Sequence, residues 1–85
     1  MNTLDDLIQH AKVEIQCFLS NREKIPKYMN VGQLEMTLNE LDKMLEYRNP
    51  DVFFPYYPKG ILDCWQPDDA LGIELMNILD LYTKK

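Results

Sequence analysis

"VFFPYYPKGILDCW", residues 52–65, carries five of the nine aromatic side chains and two of the five prolines in a chain of 85 residues. Its reading decides the fold. A stretch this apolar is either a recognition surface or the lid on a core too small to close itself. Pro55 and Pro58 favour extended backbone at the residues before them, Phe54 and Tyr57. "PKG" (58–60) reads as a turn and "ILDCW" (61–65) as a short extended piece. A minor hairpin pairing 52–54 with 61–65 is the alternative, weakened by its shortness and by proline at a sheet edge. Burying even three of Phe53, Phe54, Ile61, Leu62 and Trp65 at roughly 1.5–3 kcal/mol each rivals the net stability of a small domain. The stretch is therefore predicted to pack onto the rest of the chain.

Outward from it, three segments carry the helical period. The first runs from about Leu4 to Leu19, with Thr3 as its cap and Asp5 and Asp6 in the first turn, where the helix dipole favours negative charge. Leu4, Leu7, Ile8, Ala11, Ile15, Phe18 and Leu19 form one face at three-to-four spacing. The second runs from about Val31 to Tyr47. Asn30 and Gln33 resemble a capping box, and Val31, Leu34, Leu38, Leu41 and Leu45 form a narrow seam. Asn49-Pro50 ends it, because a residue before proline is pushed out of the α region. The third runs from about Pro67 to Tyr82. Pro67 suits its first position, Asp68 and Asp69 sit at the positive end of its dipole, and Lys84-Lys85 sit at the negative end. Leu71, Leu75, Ile78, Leu79 and Tyr82 make its stripe. The predicted fold is all-α: one compact three-helix domain over 1–85, with an ordered aromatic and proline-rich crossover (49–66) between the second and third helices.

Composition bounds the function. A single domain of this length buries only roughly 60–65% of the surface its unfolded chain exposes, leaving little core to give up to an enclosed cleft. The apolar fraction of 46% and charged fraction of 27% are those of an ordinary globular chain rather than a disordered one. Net charge is −5, from 14 acidic and 9 basic residues. The basic ones concentrate in "NREKIPK" (21–27), whereas 62–80 holds Asp63, Asp68, Asp69, Glu74 and Asp80 with no Lys or Arg. One basic loop is too small a footprint for nucleic acid, and an acidic face suits a basic protein partner or solubility. The beginning "MNTLDDLIQH" lacks the charged and apolar regions of a signal peptide, and no apolar run approaches the ~18 residues of a membrane span. A cytoplasmic protein of bacterial type is expected, without membrane contact, its Cys17 and Cys64 reduced and packed as small hydrophobes.

Chemistry is sparse. Asp63, Cys64, Asp68 and Asp69, with His10 as the only imidazole, are the densest set of potential ligands. Their spacing fits neither a zinc site nor an oxygen-rich cation loop, and capping explains Asp68 and Asp69. His10 and Cys17 share one side of a helix but stand ~10 Å apart along it, too far for a nucleophile and its base. A pocket joining Cys64, Asp63 and His10 is the enzymatic alternative, with no recognisable third group to orient it. "PYYP" (55–58) matches the bare polyproline-ligand pattern, but lies inside a hydrophobic stretch. No cofactor, metal or catalytic residue is predicted.

The remaining signal is apolar side chains that miss the stripes. At about 100° per residue Met36 and Tyr47 fall nearly opposite the second helix's seam, Ile73 falls opposite the third helix's stripe, and Met76 lies well off it. Val13 and Cys17 sit on a flank of the first helix. The aromatic stretch covers some of these, or they form a protein-binding surface of adaptable residue types. The functional expectation is a non-enzymatic interaction module of inhibitor, immunity, adaptor or regulatory type. Its candidate partner surface is Met36, Tyr47, Ile73 and Met76, with Tyr56 and Tyr57 where the lid leaves them outside. The alternative is a homo-oligomer whose self-interface uses the same residues.

Overall fold

Each long helix starts where a side-chain oxygen can take one of the unpaired N–H groups of a first turn, a contact worth about 1 kcal/mol. Thr3 Oγ1 accepts from the Asp6 amide at 3.2 Å, Asn30 Oδ1 from Gln33 at 2.6 Å, and Asp69 Oδ1 from Gly72 at 2.9 Å. The computed structural model describes residues 3–84, so Lys85, the second of the two terminal lysines, lies outside them. It contains α1 (Leu4–Ser20), a 3₁₀ turn (Arg22–Lys24), α2 (Val31–Tyr47), α3 (Tyr57–Cys64) and α4 (Ala70–Thr83).

Four helices stand where three were predicted, and two boundaries are corrected. α4 begins at Ala70 rather than Pro67. Asp69 is the better cap, and Gln66–Asp69 closes instead into a turn, with the Asp69 amide donating to the Gln66 carbonyl at 3.1 Å. The larger correction is α3. Residues 57–64 are helical and no strand forms among the described residues, so the hairpin of 52–54 with 61–65 does not occur. Pro58 is the second residue of this helix, where its missing N–H is one that had no intrahelical partner in any case. What reads locally as a turn is a helix start.

The donors at that start are met from α2. Glu40 Oε1 accepts from the Tyr57 amide at 2.8 Å, and Oε2 accepts from the Tyr56 amide at 2.5 Å. The cap residue itself, Tyr56, supplies no side-chain bond. Three further bonds fasten the segment: Trp65 Nε1 donates to Gln33 Oε1 at 2.9 Å, Tyr57 Oη to the Leu75 carbonyl at 2.8 Å, and Tyr82 Oη to the Phe53 carbonyl at 2.7 Å. Two glycines permit the approach. A Cβ at Gly60 would collide with the Gln33 amide, and one at Gly72 would stand 3.2 Å from Trp65 Cε3 and 3.6 Å from Ile61 Cγ2.

These contacts define a ring. α1 packs on α2, α2 on α3, α3 on α4 and α4 on α1, while the diagonal pairs touch little. Arg48 pairs with Asp5 and Lys12 with Asp42, so α1 and α2 are antiparallel. Glu74 faces His10 and Tyr28 bonds Asp69, so α4 is antiparallel to α1. α3 starts beside Glu40 and Leu75 and ends beside Gln33 and Gly72, so it runs against both of its neighbours. The result is an up-down-up-down arrangement with a short third member, of radius of gyration 12.3 Å, near the roughly 12 Å of a folded chain this long.

The core draws on the predicted stripes and part of the lid, with Met29 and Met44 added from neither and Leu4, Leu7, Phe18, Leu19, Leu38 and Leu45 only partly buried. Ile8, Ala11, Ile15, Leu34, Leu41, Leu75 and Ile78 are wholly buried, joined by Tyr57, Ile61 and Trp65 from the crossover. The expectation that Phe54 and Leu62 also bury is corrected: both are exposed. In a helix the apolar run splits by the 3.6 period, and Leu62 falls about 140° from Tyr57. Cys17 and Cys64 are likewise exposed free thiols rather than packed hydrophobes, Cys17 on the flank of α1 and Cys64 at the last position of α3.

Glu40 is only 5% exposed, and burial pushes its pKa up against the opposing pull of the two amides and Lys43. Between the ordinary and the raised pKa, the native state therefore binds this proton more tightly than the unfolded chain does. Taken alone, Glu40 makes stability fall as pH rises from its ordinary 4.5 through the raised native value. Glu40→Ala leaves one buried and one partly buried amide unpaired and is expected to cost roughly 2–4 kcal/mol in urea unfolding. Glu40→Gln, which keeps one acceptor, should fall between and flatten that pH slope. An unchanged unfolding midpoint in Glu40→Ala would contradict the cap.

Candidate functional site

Because α3 is a helix lying against α4, its outer face and that of α4 enclose a groove. Ile61, Trp65 and Gly72 line it together with Leu62 from α3 and Ile73 and Met76 from α4, and the polar Gln66 and Asn77 complete the lining. Its volume is about 300 Å³. Leu62 also borders a second hollow of about 470 Å³, formed with Phe54, Tyr56 and Pro58. Leu62 is 74% exposed, Ile73 49% and Tyr56 77%. These are large apolar or aromatic surfaces held open to solvent on a fixed scaffold. Between Gly60 and Thr83 the chain has five carboxylates and no lysine or arginine.

The predicted surface residues are distributed unevenly over this geometry. Ile73 and Met76 line the groove and Tyr56 lines the adjoining hollow. Tyr57 does not belong with them: it is 1% exposed, with its hydroxyl spent on the Leu75 carbonyl. Tyr47 is half exposed and packs on Phe53, ring centroids 6.2 Å apart, while Lys43 covers that same ring. Met36 is exposed and stands in register between Gln33 and Glu40, on the row of α2 that faces the crossover. The crossover thus meets α2 at Gln33, Glu40, Lys43 and Tyr47, while Met36 and Tyr47 both stay exposed. Sequence reasoning missed Leu62 and Phe54, which it had placed in the core. For Leu62 the signal that separates it from Ile61 is the helical register of 57–64; Phe54 lies ahead of that helix.

A second arrangement lies on the α1–α4 side. His10 Nδ1 is 2.6 Å from Glu74 Oε1 and 2.9 Å from Glu14 Oε1. Among the described residues these three form a grouping able to hold a metal ion, with ligand atoms within 4.8 Å of one another. His10 and Glu74 border a hollow of about 400 Å³ lined also by Asp6 and Leu7. The hydrogen bond to Glu74, then the charges of Glu74 and Glu14, raise the His10 pKa. Burial, then the neighbouring Glu74 carboxylate, raise that of Glu14. Beside them the Tyr28 hydroxyl donates to Asp69, which pushes the phenol up to about 12. The ligand set weighed from sequence, with Asp63, Cys64 and Asp68, is not the one the fold gathers around His10. Neither Glu14 nor Glu74 was singled out from sequence: the i, i+4 spacing of His10 and Glu14 on α1 is a signal that could have found the first, whereas Glu74 lies 64 residues away.

No helix among the described residues is long and apolar enough to cross a membrane. Compared with protein-family models, with curated proteins and with solved structures, the chain matches none.

His10 faces Glu14 from its own helix and Glu74 from α4, with Asp6 bordering the same hollow. Its raised pKa contributes stability that is fully present below the ordinary 6.5 and lost as pH rises through the native value. In chelator-treated buffer, the imidazole proton resonances should titrate with a midpoint above 6.5, and Glu74→Gln should move it back down. A midpoint indifferent to Glu74→Gln would contradict the hydrogen bond as the cause.

Proposed function

We propose that the chain is a small acidic interaction module of inhibitor, immunity, adaptor or regulatory type. It would work in the cytoplasm without catalysis of its own, and its α3–α4 groove would take an amphipathic, basic helix of a protein partner. The observation that carries this reading is the pairing of exposed Leu62 and Ile73 across a groove in a segment whose only charges are carboxylates.

The physical case has two parts. Full burial of a Leu or Ile side chain is worth roughly 1.5–3 kcal/mol, so covering Leu62, Ile73 and Met76 offers a partner a substantial gain. An eight-residue wall such as α3 is about 12 Å long, matching two turns of a docked helix with anchors at i, i+3 or i+4, and i+7. The exposed carboxylates of this segment, Asp63, Asp68 and Asp80, would select the occupant: lysines or arginines flanking those anchors are attracted, and an acidic helix is repelled. Such a rim speeds encounter more than it tightens the complex, so association depends on salt.

Trp65 is the sole tryptophan and lines the groove, so its emission reports occupancy directly. A synthetic amphipathic Leu/Lys helix should shift that emission saturably and bind more weakly as ionic strength rises. It should lose at least about tenfold, or 1.4 kcal/mol, on Ile73→Lys. A Leu/Glu helix of the same pattern should not bind. Absence of any Trp65 response, equal binding by both peptides, or full affinity in Ile73→Lys would overturn the reading. So would a concentration-independent dimer by light scattering that Ile73→Lys dissociates, since a second copy would then be the occupant.

A further inference from the structure

The α1–α4 face carries a constellation that the groove does not use. His10 and Glu14 are one turn apart on α1, and Glu74 of α4 completes a nitrogen-and-two-oxygen set around a single point. One imidazole nitrogen faces two carboxylates, and a single N–H can serve only one of them well. Asp69 adds further negative charge near Glu14. No lysine or arginine among the described residues pairs with Glu14 or Glu74: Lys12 is turned to Asp42, and Arg48 is held by Asp5. Two partly buried carboxylates therefore meet with only a titratable imidazole to balance them.

We propose that His10, Glu14 and Glu74 form a zinc site that ties α1 to α4. The donor set selects the metal class. Mg²⁺ keeps its waters and prefers oxygen alone, whereas Zn²⁺ accepts imidazole nitrogen and carboxylate oxygen at 2.0–2.2 Å. In a tetrahedral site of those bond lengths the ligand atoms stand about 3.3 Å apart. The present separations of 2.6 and 2.9 Å need to open by roughly 0.4–0.7 Å, a side-chain adjustment rather than a helix shift. Binding releases the Nδ1 proton and replaces it with two positive charges, so affinity falls at low pH. The fourth position opens to the hollow bordered by Asp6 and Leu7, with room for water or a ligand from a partner.

The test uses the metal alone on the full chain. Calorimetric titration with zinc chloride should show one saturable site. At free zinc a hundredfold above Kd, the thermal midpoint should rise by roughly 10–20 °C. Magnesium chloride should give neither effect. Glu74→Gln removes a carboxylate from a repulsive cluster and should fold normally, yet lose the site; a Cys17→Ser, Cys64→Ser double variant should keep it. Retention of zinc binding by Glu74→Gln, its loss in the double cysteine variant, or the absence of saturable binding in the wild type would overturn the proposal.

Discussion

The Glu40 carboxylate, holding the Tyr56 and Tyr57 amides, is the contact on which the rest of this small structure depends. A helix of eight residues is too short to persist alone in water, since nucleation is unfavourable and few of its amides find internal partners. Two of its leading donors are taken by a buried side chain of α2, and its far end is fixed by the bond from Trp65 to Gln33, one row along the same helix. Between these ends Tyr57 and Ile61 enter the core. The polar bonds set register and the apolar side chains supply the burial energy.

Closing the fourth wall in this way has a functional corollary. The same helix that lowers Tyr57, Ile61 and Trp65 into the core must raise Leu62 on its other face, because a helix cannot turn all of a continuous apolar run inward. Ile73 and Met76 then line the groove with Leu62, beside the point where Gly72 lets Trp65 approach. The proposed docking groove and the stability of the domain are thus two faces of one segment. The proposed zinc site sits on the other side of α4, where the constraint is charge rather than shape.

Much of the frame was legible from residues alone. Thr3 and Asn30 cap the helices they were expected to cap, and the stripes of α1, α2 and α4 supply most of the core. α3 was not legible, because Pro55, Pro58 and Gly60 read locally as breakers while the group that completes the helix start lies on another element. The same cause hid the sorting of Leu62 from Ile61. On α2 the row Gln33, Glu40, Lys43 and Tyr47 meets the crossover through polar and aromatic contacts, which an apolar-stripe reading passes over. Of the candidate surface, Ile73, Met76 and Tyr56 reach the two hollows, whereas Tyr57 is core. Glu74 could be joined to His10 only by tertiary packing.

The central claim is that α3 is an integral wall of the domain rather than a flap laid over a finished three-helix core. Native-state amide hydrogen exchange tests it most directly, because it reads the opening energy of each helix separately. The account predicts that the amides of Ile61 to Trp65 exchange about as slowly as those of Leu75 to Leu79 in α4, opening only with the whole molecule. Exchange of the α3 amides at free-chain rates, with α1, α2 and α4 still protected, would contradict it.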